Sequence, residues 1–171
     1  VMTMLCDKGY DVIALGKIKD IFADKGMSVG LKTKNNIDGI IKLNDFARSD
    51  FNGLLFLNLN DFDSSYGHRR NREGYLKCLE ELDYYLPTFL NRLRDDDLVI
   101  FTADHGNDPT YTGTDHTREY VPFIAYSKRM KNGGAIKDED TFAVIGASVA
   151  ENFGVPMPEG TIGHSVLKEL M

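Results

Sequence analysis

The stretch Leu98-Val99-Ile100-Phe101-Thr102-Ala103-Asp104-His105-Gly106-Asn107-Asp108 passes in one step from four apolar residues to a carboxylate and an imidazole. A run so short and apolar reads as a buried strand, Asp97 to Thr102, that leaves the core at a loop. An Asp and a His at such an exit have no packing task, which makes them candidates for chemistry. The next residues continue the theme, because Asp115-His116 follows within the same loop region.

A second segment repeats the pattern. Gly53 to Leu59 is another apolar strand, and it runs directly into Asn60-Asp61-Phe62-Asp63-Ser64-Ser65-Tyr66-Gly67-His68. If the two strands are neighbours in one parallel sheet, both clusters project into one crevice at the carboxyl ends of the strands. Carboxylate and imidazole together suit Mn²⁺, Zn²⁺ or Fe²⁺, whereas Mg²⁺ and Ca²⁺ seldom accept nitrogen. With this many donors, two ions about 4 Å apart become possible, the arrangement that clamps attacking and leaving oxygens in phosphoryl transfer. Taken singly, Asp61 and Asp63 could equally be helix caps, and His68 or Asp115-His116 surface residues; their joint occurrence is what favours a metal site. His164 has no acidic neighbour in the sequence and is set aside.

Outward from these loops the chain alternates strands and helices. Asp11 to Leu15 reads as a strand ending at Gly16-Lys17, and Asn36 to Phe46 as a short helix. From Arg72 to Arg94 the residues Leu76, Leu79, Leu82, Leu86, Phe89, Leu90 and Leu93 predict an amphipathic helix that Pro87 bends. Val121 to Tyr126 is a strand with Pro122 at an unpaired start, Thr141 to Asn152 a helix capped by Thr141, and Gly163 to Met171 a last short helix. Such alternation indicates an α/β layer structure. Val1 to Gly9 reads as the end of a helix stopped by Gly9 with no capping residue before it, so the chain is expected to begin mid-element.

The 171 residues fit one domain, and 42 % hydrophobic residues suffice for a core. A formal charge of −6 argues against a nucleic-acid binder, which needs clustered Lys and Arg; Arg69-Arg70 and Lys128-Arg129 are too short to count as tracts. Cys6 and Cys78 lack ligand spacing and are expected to be reduced thiols. No apolar run approaches the ~18 residues of a membrane span, and the first residues do not follow a signal peptide's order. The expectation is a cytoplasmic protein that binds no membrane.

Three motifs carry a family resemblance: Asp-Phe-Asp-Ser-Ser-Tyr-Gly-His-Arg-Arg at 61 to 70, Thr-Ala-Asp-His-Gly-Asn-Asp-Pro-Thr at 102 to 110, and Gly-Thr-Asp-His-Thr-Arg-Glu at 113 to 119. In this order they resemble the phosphopentomutase family of the alkaline phosphatase superfamily. Ala-Asp-His-Gly alone is shared with cofactor-independent phosphoglycerate mutase, and a metal phosphatase of the superfamily is a further alternative. The resemblance implies an alkaline phosphatase-like, mostly parallel sheet flanked by helices, with residues 1–171 forming the carboxyl-terminal part of an incomplete metal-binding core domain. It also implies two Mn²⁺ ions, one held by Asp63, His68 and His116 and the other in part by Asp104 and His105, leaving Asp61, Asp108 and Asp115 to orient or brace. Lys17 would meet the phosphate of a pentose phosphate substrate. The implied reaction interconverts ribose 1-phosphate or 2-deoxyribose 1-phosphate with the 5-phosphate through a phosphothreonine. That threonine and most of the sugar-reading cap would lie ahead of Val1, so no catalytic nucleophile is assigned here. The isolated chain is then expected to be a noncatalytic metal-binding fragment.

Overall fold

The computed structural model describes residues 1–171. Its centre is β1 (Asp11–Leu15), in which Val12, Ile13, Ala14 and Leu15 are all buried. A strand buried on both faces needs partners on both edges. It has them: β2 (Val29–Leu31) and β3 (Gly53–Leu57) flank it in parallel, in the order β2-β1-β3. On one face, α1 (Met2–Asp7) and α5 (Ala143–Phe153) bury Met2, Leu5 and Ala150 against Val12 and Ala14, with Ile18 of α2 (Ile18–Ile21) in the same cluster. Lys8 ties the two helix ends together by donating to the Gly154 carbonyl at 2.6 Å.

The other face carries α3 (Asn36–Phe46) and α4 (Arg72–Arg92). Asn35 accepts from the Asp38 amide at 2.9 Å and Asp38 from the Lys34 amide at 2.8 Å, a reciprocal cap that starts α3 where the sequence pattern places it. Gly39 eases the close approach to β3, since a Cβ there would lie 3.1 Å from the Leu57 side chain, which would have to shift by a few tenths of an ångström. Arg92 clamps α4 to α3 by donating to both the carbonyl and the side-chain oxygen of Asn44 at 2.8 Å.

Several expectations are corrected. Strand β4 (Val99–Thr102) does not join the parallel sheet; it pairs antiparallel with β5 (Phe123–Tyr126) in a separate two-stranded sheet. Pro122 precedes the first paired residue, as a residue without an N–H should. Helix α4 follows its predicted span, but Leu76 and Leu79 are 56 % and 47 % exposed, whereas Cys78, Phe89 and the following Leu93 are buried. The face that packs is the one bearing Tyr75, Cys78, Leu82 and Phe89. The two-turn last helix shrinks to α6 (Leu167–Leu170), and the carboxyl end of the 53–59 strand frays after Leu57. Short β2, with its three residues, gave no sequence signal.

Both cysteines are free, and Cys78 is buried. Burial, then the charges of Asp61 and Glu81, push its thiol up to about 11. No helix is long and apolar enough to cross a membrane.

Phe89→Ala should lower unfolding free energy by about 3–5 kcal/mol, whereas Leu76→Ala should stay within about 0.5 kcal/mol of the parent in urea denaturation. Equal losses would mean that α4 packs by the other face.

Candidate metal centre

The parallel strands deliver their following loops to one end of the sheet, and the chemistry of the chain gathers there. After β3, Asp61 turns back to α3: its carboxylate accepts from the Asn36 amide at 2.8 Å while its own amide donates to the Asn36 side chain at 2.9 Å. Asp61 therefore braces the loop. The chain then makes a π-helical turn, Phe62–Gly67, closed by the His68 amide on the Asp63 carbonyl at 3.0 Å.

That wider turn has a direct consequence for the side chains. In an α-helix, residues five apart point about 140° away from each other. An i→i+5 turn brings them to nearly the same side. His68 Nε2 lies 3.4 Å from Asp63 Oδ1 as a result. The turn is held by Phe62 edge-on to Tyr75 of α4, with centroids 5.3 Å apart, and by Tyr66 against Gly74. Burial, and next the Asp63 charge, push the Tyr75 phenol upward, so it stays protonated beside the site.

The third donor arrives from the loop after β4. His116 Nε2 is 3.3 Å from Asp63 Oδ1 and 3.1 Å from His68 Nε2. These three separations are close to the roughly 3.4 Å between ligand atoms around a tetrahedral ion bound at about 2.1 Å. His68 Nδ1 lies 2.5 Å from the Thr114 carbonyl. A carbonyl only accepts, so Nδ1 carries a proton, which leaves Nε2 as the atom turned toward the other two donors. Orientation of an imidazole by a carbonyl behind it is the usual outer arrangement of a histidine ligand. Asp63, His68 and His116 thus fit a divalent cation in donor type and spacing.

The remaining predicted residues fall into two places. His105 stacks on the His116 ring with centroids 3.6 Å apart, and its Nε2 is 3.7 Å from Asp104 Oδ1. The Asp104-His105 pair is therefore beside the triad and outside it. Lys17 lies elsewhere along the carboxyl edge of the sheet, in a cleft lined by Gly16, Thr33, Lys34, Asn35 and Asp61 with no hydrophobic residue. His164 is set against Glu139 at 3.5 Å, an acidic partner that sequence proximity did not reveal.

Asp108 and Asp115 serve the loops. The Asp108 carboxylate accepts from the Thr110 hydroxyl and amide, each at 2.7 Å, and these bonds hold it below the usual carboxylate range. Asp115 contributes its carbonyl to Arg70. Two residues that sequence reasoning passed over belong here: Asn107, whose amide donates to Asp63 Oδ1 at 2.6 Å, and Arg70, which donates to Asn107. Gly67 makes room for this contact, because a Cβ there would lie 2.3 Å from the Asn107 amide nitrogen. Both residues lie inside quoted motifs, Arg70 in Tyr-Gly-His-Arg-Arg and Asn107 in Thr-Ala-Asp-His-Gly-Asn-Asp-Pro-Thr, but residue type alone gave neither a role.

The profile of the Metalloenzyme superfamily matches residues 11–157. The chain belongs to that superfamily. The matched span of this metalloenzyme chain includes β1, the π-turn and every member of the Asp63-His68-His116 triad. Among curated relatives, it is 59 % identical over 169 residues to the phosphopentomutase of Agathobacter rectalis, a match covering 99 % of this chain and 43 % of that protein. It is 54 % identical over 171 residues to a phosphopentomutase of Clostridium perfringens, covering 100 % of this chain and again 43 % of the relative. The chain therefore spans less than half the length of the curated relatives it matches.

Because Thr110 lowers the Asp108 pKa, the Asp108 turn adds stability above the ordinary carboxylate pKa and loses it as pH falls through the lowered value. Thr110→Ala should move the carboxyl titration of Asp108, followed by carbon-13 NMR, upward toward the ordinary range. An unchanged titration would refute the hydrogen-bond cause.

Proposed function

We propose that this chain forms part of the metal-binding core of a phosphopentomutase that interconverts ribose 1-phosphate or 2-deoxyribose 1-phosphate with the 5-phosphate, in the cytoplasm. The observation that carries the reading is the convergence of Asp63 Oδ1, His68 Nε2 and His116 Nε2, with edges of 3.1, 3.3 and 3.4 Å, inside a sequence that matches two phosphopentomutases at 59 % and 54 % identity.

In this reading Asp63, His68 and His116 hold one Mn²⁺, and Asp104 and His105 supply part of a second site. Bound Mn²⁺ would neutralise charge on a transferring phosphoryl group and lower the pKa of an attacking oxygen. The chain's own residues do the placing. The π-turn sets Asp63 and His68 side by side, the Thr114 carbonyl fixes the His68 tautomer, and the face-to-face His105 ring restricts the rotation of His116. Lys17, at the strand exit of β1, offers a cation to a sugar phosphate in the polar cleft.

No threonine of the metal loops serves as nucleophile in this scheme. The Thr117 hydroxyl accepts from the Asp108 amide at 2.7 Å and donates to Glu119 at 2.5 Å, and the Thr110 hydroxyl is bound to Asp108. Residues 1–171 alone are therefore assigned metal binding without turnover. The phosphothreonine and sugar-reading parts of the reaction belong to relative length that this chain does not span.

Two measurements test the reading. Titration of residues 1–171 with Mn²⁺ should find one site that Asp63→Ala weakens on the order of a hundredfold or more, and a second that is weak or empty; a tighter site that depends on Asp104 and His105 instead would overturn the assignment. The full gene product with Mn²⁺ should convert ribose 1-phosphate to ribose 5-phosphate and leave 3-phosphoglycerate untouched. Turnover of 3-phosphoglycerate in its place, or mutase activity from residues 1–171 alone, would contradict the proposal.

A further inference from the structure

We infer that Arg70 and Asn107 form a positioning relay for the cation site, with Arg70 fixing the orientation of the Asn107 amide and Asn107 fixing the rotamer of Asp63. The inference rests on the reading of Asp63, His68 and His116 as cation ligands.

The relay follows from donor and acceptor counting. A guanidinium can only donate. Arg70 Nη1 lies 2.7 Å from Asn107 Oδ1, so the oxygen end of that amide must face the arginine. The NH₂ end is then forced the other way, where it lies 2.6 Å from Asp63 Oδ1. An ionised carboxylate can only accept, so both contacts are satisfied in this orientation alone. Reversing the amide would set NH₂ against guanidinium and oxygen against carboxylate. Asp63 Oδ1 thus spends one lone pair on Asn107 and directs the other to the point shared with His68 and His116.

Arg70 holds its place through the backbone of all three loops. Its Nε donates to the Gly113 carbonyl at 2.6 Å, Nη1 to Asp108 at 2.8 Å and to Gly67 at 3.3 Å, and Nη2 to Asp115 at 2.5 Å. The carbonyls of 113 and 115 belong to the loop that presents His116, and Gly67 precedes His68. One planar fork therefore sets the spacing between the two histidine ligands while it orients the carboxylate. The backbone of Arg70 is left-handed, φ +51°, a conformation that costs a non-glycine residue energy and persists where surrounding contacts demand it. Here it turns the chain after the π-turn so that the side chain reaches back to the loops. Lysine, with a single point charge, cannot reproduce the fork.

The test is Mn²⁺ affinity, read from free Mn²⁺ by electron paramagnetic resonance, for the parent, Asn107→Ala, Arg70→Lys, Arg70→Ala and the Asn107→Ala/Arg70→Ala double variant. Apo melting temperatures are recorded alongside. Asn107→Ala should weaken binding about 10- to 100-fold, as loss of a partner behind a metal ligand does, with little change in apo melting temperature. Arg70→Lys should fall short of full rescue, and the double variant should bind no more weakly than the weaker single variant, because Asn107 acts on Asp63 only in the orientation that Arg70 imposes. Parent-like affinity in Asn107→Ala overturns the relay, as do losses that multiply in the double variant. Should Arg70→Ala fail to fold, Asn107→Ala still decides, since it leaves all four carbonyl contacts of Arg70 in place. A parent that binds Mn²⁺ while Asn107→Ala is unaffected defeats this inference alone; a parent that binds neither Mn²⁺ nor Zn²⁺ defeats the metal reading and the relay with it.

Discussion

Two imidazole nitrogens, His68 Nε2 and His116 Nε2, stand 3.1 Å apart with one carboxylate oxygen within 3.4 Å of both. That spacing suits a divalent cation held among them, the reading proposed above. A divalent cation would engage all three atoms at once. The loops that carry these atoms come from sequence positions more than forty residues apart, so holding them together has to be explained by the rest of the fold.

That explanation runs through the sheet and the loops it releases. β1, buried on both faces, aligns β2 and β3 in parallel and thereby sends the segment after β3 to the same edge as Gly16-Lys17. Asp61 anchors that segment to the start of α3, and the π-turn rotates Asp63 and His68 into register. β4 reaches the site from a separate sheet. Its following loop is largely exposed and is tied back by hydrogen bonds: the Gly106–Thr117 bridge, the Asp108 turn and the Arg70 fork. The site therefore depends on polar ties where the core depends on apolar burial.

Much of this was legible in the residues. Apolar runs bounded by polar clusters located β1, β3 and β4, and Asn35 and Asn71 sit where helices α3 and α4 begin. Donor types at the strand exits marked the acidic and imidazole loops as a candidate metal site, and the family resemblance, not the donor types, singled out Asp63, His68 and His116 among them. What escaped detection depends on long-range partners. Whether β4 joined the parallel sheet turned on its pairing with β5, twenty residues on, and not on its own composition. Leu76 and Leu79 fit a helical rhythm yet face outward, because periodicity defines a stripe without saying which neighbour covers it. Arg70 looked like half of a short basic pair. Only the fold shows that its donors reach carbonyls more than thirty residues away.

The most direct measurement is anomalous X-ray scattering from crystals of residues 1–171 grown with Mn²⁺. A peak is expected at the point common to Asp63 Oδ1, His68 Nε2 and His116 Nε2, with the Thr114 carbonyl still behind His68 Nδ1. A peak confined to other residues, or no peak at saturating Mn²⁺ with the three side chains drawn apart, would contradict it.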